Sequence, residues 1–496
     1  MTIHASGGNG ILIRATNVST VSITGCTIEG GLEATAISIW GAQNRDISVN
    51  NNESLIGDWN AIEIGTGSPN SKTTENTNIS ISGNTLIKAL SGGGIWVAAR
   101  YSDSSFNSNV EVRDNESIFA GAIFPAVEID SPNNSNIKVE NNTSLAGSSD
   151  GDVVFVGKSG KDGIAKNTHV VISNNSINGG ARGIRIIGST PGSNNEISGN
   201  KVSQNGTGVQ LSDSNFTVSQ NTIRDNSGSG VVILSGTGDW ITKNSIYANA
   251  KLGIDLGGDG VTPNDPGDAD TGPNNLQNYP VLTAAASFGG NTVIAGNLNS
   301  APNTTFRLEF FSNPAGSGQG KTFIGSATAA TDASGNANFV VNFPVAVPAN
   351  DTVTATATDP GNDTSEFSQP ITPPVSTAGC KVTYGGNITT ANGDKATFGG
   401  NAQVPLKGEE QYTDHGPAAP MDVHSINVSA VVCGADGKQA SIFGQATINN
   451  AGSYVYQIDL RDKGEPGTND TFRIRLSNGY DSGERTLAGG NVQIHK

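Results

Sequence analysis

The sequence predicts an all-β protein: a long solenoid of stacked strands followed by two β-sandwich modules. Three observations predict it. Composition comes first: 496 residues hold 65 Gly and only 15% charged residues. Abundant Asn, Ser and Thr, with Val and Ile, favour strands and tight turns over helices, and no long amphipathic helical period is present. Second, one phrase recurs along the first half, as in "ISISGNTLI" (79–87), "IKVENNTSL" (137–145) and "VISNNSI" (171–177). Third, this phrase stops at "GIDLGGDGVTPNDPGDADTGPNNLQNYP" (253–280), after which strands alternate between ordinary turn signals.

The repeat organises residues 1–258. Aligned on its central Asn, the phrase gives a column of Asn52, Asn84, Asn115, Asn142, Asn175, Asn200, Asn221 and Asn244, with Cys26 one coil earlier. Each is followed by an apolar pair flanking one free position: Ile37-Ser38-Ile39, Ile62-Glu63-Ile64, Ile95-Trp96-Val97, Val127-Glu128-Ile129, Val153-Val154-Phe155, Ile184-Arg185-Ile186, Val209-Gln210-Leu211, Val231-Val232-Ile233 and Ile254-Asp255-Leu256. Two short strands per repeat of a few tens of residues is a solenoid signature. Alternation puts the apolar pair inside. An inward Asn at a sharp turn can hydrogen-bond the coils above and below, as amide ladders do in stacked β structure, so the column reads as architectural.

This pattern resembles the right-handed parallel β-helix of secreted bacterial proteins, the superfold of pectate lyases and polygalacturonases, over roughly residues 10–258. A left-handed β-helix would show a strict hexapeptide period, which is absent. The resemblance implies a fold, not an activity, since adhesins and phage tailspikes share it.

Residues 259–279 form an Asp-rich capping segment. Residues 280–372, with "TTFRLEFF" and "DTVTATATD", predict an immunoglobulin-like β-sandwich. Residues 373–379 are a Pro/Ser/Thr linker. Residues 380–496 form a C-terminal all-β module that resembles the post-COAP module of large bacterial secreted proteins, which implies extracellular or cell-surface placement. Cys380 and Cys433 fall within it and are near enough in sequence to pair; Cys26 is remote. The opening "MTIHASGGNGILI" starts inside a repeat and lacks a secretory signal, so the targeting segment is expected to be missing from this sequence. An uncapped first coil is expected to associate edge to edge.

A net charge of −16 argues against nucleic acid as partner, and no apolar run is long enough for a membrane span. The free positions of the second strand are expected to face solvent. They place Glu63, Glu128 and, two residues on, Asp130 on one face, with Glu63 and Glu128 about 9.6 Å apart across two coils and Glu128 and Asp130 about 6.8 Å apart along a strand. Either pair approaches the ~6.5–9.5 Å that an inverting glycosidase needs, so these three are the catalytic candidates. Trp40 and Trp96 offer indole platforms for sugar faces. Arg185, Arg100 and Tyr101 complete the substrate-binding set, with Arg185 and Arg100 as the bases a lyase would use. Longer insertions at 66–78, 98–109 and 157–169 are expected to wall a groove. An apolar remainder of the face (Val154, Val156, Ile187, Val232, Leu234) reads as a docking surface.

Asp255, Asp259, Asp265, Asp268 and Asp270, with Asn264, supply oxygen ligands suited to Ca²⁺, though not at EF-hand spacing. No organic cofactor is expected. "GSGQGKT" (316–322) is one residue short of a phosphate-binding loop, "GSSDG" (147–151) lacks the strand-to-helix turn of a serine elbow, and Asp414, His415 and His424 lack metal spacing. The expected function is binding, and cleavage by hydrolysis or elimination, of a polysaccharide or cell-surface glycan; the alternative is a non-catalytic adhesion protein with the solenoid as spacer.

Overall fold

Each coil of the solenoid contributes three strands, not two. A computed structural model describes residues 1–495 except 66–72, 159–164, 213–214, 289, 374–378 and 418–419. The coils stack into three parallel sheets of ten, ten and nine strands, a right-handed parallel β-helix. The coil spanning Phe106–Asp130 shows the plan. An eight-residue strand, Phe106–Arg113, runs to the Asn corner; a three-residue strand, Ser117–Phe119, leaves it; Val127–Asp130 follows. The recurrent phrase therefore folds through a corner. Its apolar residue after the Asn lies in a separate strand, which a period of two cannot distinguish from a continuing one.

The corner has a local cause. The residue before each column Asn is left-handed: Gly25, Asn51, Gly83, Asp114, Asn141, Asn174, Gly199, Gln220 and Lys243 have φ between 52° and 65°. Gly and Asn dominate there because they tolerate that region. The turn aims the next side chain inward, and the column forms the expected ladder. Asn84 Nδ2 donates to Asn115 Oδ1 at 2.9 Å, Asn115 to Asn142 at 2.9 Å and Asn142 to Asn175 at 2.9 Å. Each Oδ1 also accepts the backbone N–H of the preceding Asn, as Asn142 Oδ1 does from Asn115 N at 3.1 Å. Two further ladders occupy the other corners: Asn44–Asn76–Asn107–Asn134–Asn167 and Asn205–Asn226–Asn249. Around them, Ile, Val and Leu from all three sheets fill one continuous core.

The second sheet carries the register that matters for function. Its outward column reads Leu12, Ser38, Glu63, Trp96, Glu128, Phe155, Arg185, Gln210, Val232 and Asp255, paired in that order. One position corrects the sequence expectation. Val154 and Val156 point into the core and Phe155 points out, because Val127 pairs with Val154 and Glu128 with Phe155. The run Val153–Val156 is apolar throughout, so its alternation has no visible phase, and a one-residue slip exchanges the faces.

Residues after 280 form antiparallel sheets. Val281–Phe288, Asn291–Asn299 and Asn336–Phe343 make one three-stranded sheet; Thr305–Asn313, Thr322–Ala330 and Thr352–Thr358 make the other, with Phe306, Phe310 and Phe339 between them. This sandwich closes the last coil. Gln319 accepts from Asn249 Nδ2 at 3.1 Å, so it extends an Asn ladder, and Glu309 accepts from Thr242 Oγ1 at 2.6 Å and Lys243 N at 2.9 Å. Glu366 accepts the Leu256 and Thr262 N–H groups at 3.0 and 3.1 Å, and Phe367 packs on the solenoid core.

The C-terminal module is one nine-stranded antiparallel sheet. It curls on itself: Phe398 and Phe472, from strands far apart in its order, stack with ring centroids 3.8 Å apart. Cys380 and Cys433 form a disulfide. The linker residues 374–378 lie outside the described residues.

Candidate functional site

A cleft of about 380 Å³ opens on the outer face of the second sheet. Its floor is four consecutive members of the outward column: Trp96, Glu128, Phe155 and Arg185. One wall comes from the turns that precede this sheet. Trp59 and Phe124 sit two coils apart and meet edge to face, ring centroids 5.1 Å apart. The coil between carries Gly92 and Gly93; a Cβ on Gly92 would lie 2.4 Å from the Trp59 carbonyl oxygen. Arg100 and Asp152 complete the lining.

The guanidinium groups lie on the aromatic rings. Arg100 sits 4.8 Å from the Trp96 ring centroid and Arg185 5.5 Å from that of Phe155. Each also meets an acid: Arg100 pairs with Asp130 at 3.0 Å, and Arg185 reaches Asp152 at 3.5 Å while Arg182 holds the same carboxylate. Two donors remain over. Trp96 Nε1 and Arg185 Nε are buried with no hydrogen-bond partner among the described residues. Such groups cost free energy unless something accepts from them.

Glu128 is held neutral. Burial, and then the negative charge of Asp130 with which it shares a hydrogen bond, push its carboxyl up to about 8; Arg100 pulls only partly the other way. At neutral pH it both donates and accepts. Glu63 is also raised, to about 7, by burial, against hydrogen bonds from Asn60 and Trp40.

The candidate residues thus separate. Glu128, Trp96, Arg100 and Arg185 line the cleft together. Glu63 and Asp130, expected to face solvent, are 3% and 0% exposed. Glu63 is closed off by Trp40 Nε1 at 3.1 Å and Asn60 Nδ2 at 3.5 Å, and Asp130 by Arg100. Outward alternation fixes direction from the core, not exposure, and turns and neighbouring side chains cover this sheet. Trp40 therefore serves Glu63 and does not line the cleft, and Tyr101 is 54% exposed outside it. Glu128 and Asp130 are too close for an intervening water, unlike the spacing expected along an extended strand. Of the predicted walls, 66–72 and 159–164 lie outside the described residues.

The sequence reading missed Trp59, Phe124, Phe155 and Asp152. The first two had a signal: each stands three residues before the first inward residue, in "WNAI" and "FPAV".

Among the Asp candidates, Asp265, Asp268 and Asp270 bring oxygens within 4.8 Å of one another. Asp255 lies elsewhere, accepting from Ser229 Oγ at 2.9 Å and Gly260 N at 3.3 Å, and Asp259 is outside the cluster. His415 bonds Thr397, His424 bonds Asp422 and Asp414 accepts from Tyr480, so these three make local contacts.

A family model described as a right handed beta helix region matches residues 133–265. No curated protein matches the chain in sequence. Among the solved structures that are similar at low level are two of a phage tailspike. One is full-length tailspike protein 2 from Escherichia coli O157:H7 bacteriophage CAB120, 9% identical, with 92% of this chain and 64% of that one covered and a TM-score of 0.15. The other is the enzymatically active domain of bacteriophage CBA120 tailspike protein 2, 10% identical, with 92% and 72% covered and the same TM-score. The chain thus spans under two thirds of the full-length tailspike. No helix of the described residues is long and apolar enough to cross a membrane.

Proposed function

We propose that the cleft binds a segment of a glycan chain. The observation that carries this reading is the convergence of four aromatic rings, two arginines and a neutral carboxyl on one rigid face. Aromatic rings cover the apolar faces of sugars, and Trp96 Nε1, Arg185 Nε and Glu128 match their hydroxyls. For cleavage, Glu128 is the proton donor: its carboxyl keeps its proton at neutral pH. Asp152 is the other carboxylate among the described lining residues. Incubation with neutral and uronic polysaccharides, followed by product chromatography and ultraviolet absorbance, tests both levels. Saturated products abolished by Glu128→Gln support hydrolysis. Unsaturated products favour elimination with Arg185. Binding without products leaves a lectin-like face, and no binding overturns the reading in favour of a spacer.

The finer readings rest on separate observations. Secretion to the cell surface is supported by the Cys380–Cys433 disulfide, which suits an oxidising compartment. The immunoglobulin-like and post-COAP resemblances suit two accessory modules. A Ca²⁺ site at Asp265, Asp268 and Asp270 is supported by their proximity, with Asp268 and Asp270 raised chiefly by burial and by neighbouring acids. Chelation should then lower the melting temperature, Ca²⁺ should restore it, and Asp268→Asn should remove the response.

A further inference from the structure

The C-terminal sheet has a second polar site, independent of the cleft. Its outer face divides in two. Ala430, Val432 and Phe443 dock against Val293, Ala295 and Val340 of the sandwich. Beside this apolar seam lies a groove of about 280 Å³, with Thr283 of the sandwich at its edge. Gln457 and Arg475 face each other across adjacent strands in it.

Both side chains are buried, 0% and 7% exposed, and both keep an unused polar atom. Gln457 Nε2 donates to Asp459 at 2.8 Å, which fixes the amide orientation and leaves Oε1 without a donor among the described residues. Arg475 donates through one Nη to Thr283 at 2.6 Å and through the other to Asp459 at 2.8 Å, but its Nε has no acceptor among them. Gln457 and Arg475, paired on adjacent strands of the groove lining, therefore keep one unmet acceptor and one unmet donor, both buried. A hydroxyl answers both, because it accepts and donates.

Charge narrows the class. Arg461, Arg473 and Arg475 are each paired, with Glu484, Asp481 and Asp459. The groove has no surplus cation to select an anion. Ser441 adds a hydroxyl to the lining. We propose that this groove binds one uncharged polyhydroxylated unit, of the pyranoside class, through Gln457 Oε1 and Arg475 Nε.

The test uses the full chain and a panel of methyl pyranosides, read by saturation-transfer NMR and calorimetry. Saturable binding is expected, weakened at least tenfold by Gln457→Leu and by Arg475→Lys, with unchanged melting temperature in at least one variant. Trp96→Ala, in the cleft, should leave this binding intact. Absence of binding by any pyranoside would overturn the proposal and leave the groove to water. So would tighter binding of inorganic phosphate at the same residues. Binding lost in Trp96→Ala but kept in Gln457→Leu would also overturn it, while supporting the cleft.

Discussion

The Asn corner and the cleft face bury polar groups side by side in the same coils, on opposite terms. At the corner Asn84, Asn115 and Asn142 are each answered by the Asn one coil away. On the face, Trp96 and Arg185 each keep a donor unanswered among the described residues, and Glu128 keeps its proton. Polar burial that stabilises a solenoid is periodic, since each coil supplies the next one's partner. Polar burial left over from that period is poised for something outside the chain.

Breaking the corner should have the largest effect. Asn142→Ala strands the Asn115 N–H, the Val112 carbonyl and an Asn175 lone pair. The expected loss is about 3 kcal/mol, from roughly 1–3 kcal/mol per unsatisfied buried group with partial relaxation. Urea denaturation should report it, with glycan binding at native conditions unchanged. If both fall together, the corner and the face are one unit and the contrast fails.

The carboxyls behind the face give a smaller effect with a definite sign. Glu63 titrates near 7 when folded and near 4.5 when free. The folded chain holds the extra proton between these values, so this stability is complete below about pH 4.5 and lost as pH rises to about 7. The slope is about 1.4 kcal/mol per pH unit for one proton. Glu63→Gln should flatten that window by this amount in denaturation at pH 5, 6 and 7; an unchanged slope would mean that Glu63 is ionised in the fold.

Removing one donor from the face sharpens the comparison further. Trp96→Phe keeps a ring and removes the unanswered N–H. Glycan affinity should drop about fivefold, the equivalent of about 1 kcal/mol for one hydrogen bond, while stability stays level or rises. A fall in stability without a change in affinity would return Trp96 to the scaffold. Smallest of all, binding should weaken as pH passes through about 8, where Glu128 loses its proton, and Glu128→Gln should remove that dependence.

The sequence displayed the corner better than the face, for a physical reason. The Asn column and inward pairs repeat, so their phase is averaged over many coils. The face does not repeat. Phe155 is hidden in an apolar run whose phase only the Val127–Val154 pairing resolves. Trp59 and Phe124 belong to turns two coils apart, and the wall they form is a contact between coils. Glu63 and Asp130 were placed on the correct side of the sheet, yet their burial depends on Trp40, Asn60 and Arg100, contacts between coils that no local pattern records.

The sandwich reads the end of the solenoid through Gln319, Glu309 and Glu366, and these address features of the last coils: the final amide of the Asn205–Asn226–Asn249 ladder and bare strand N–H groups. It plays the part of one more coil that happens to offer no further edge. Such a terminator is indifferent to how many units precede it. The rod could lengthen or shorten by whole coils over evolutionary time without a compensating change in the tail, so its length is a quantity that selection can adjust in steps of about 4.8 Å.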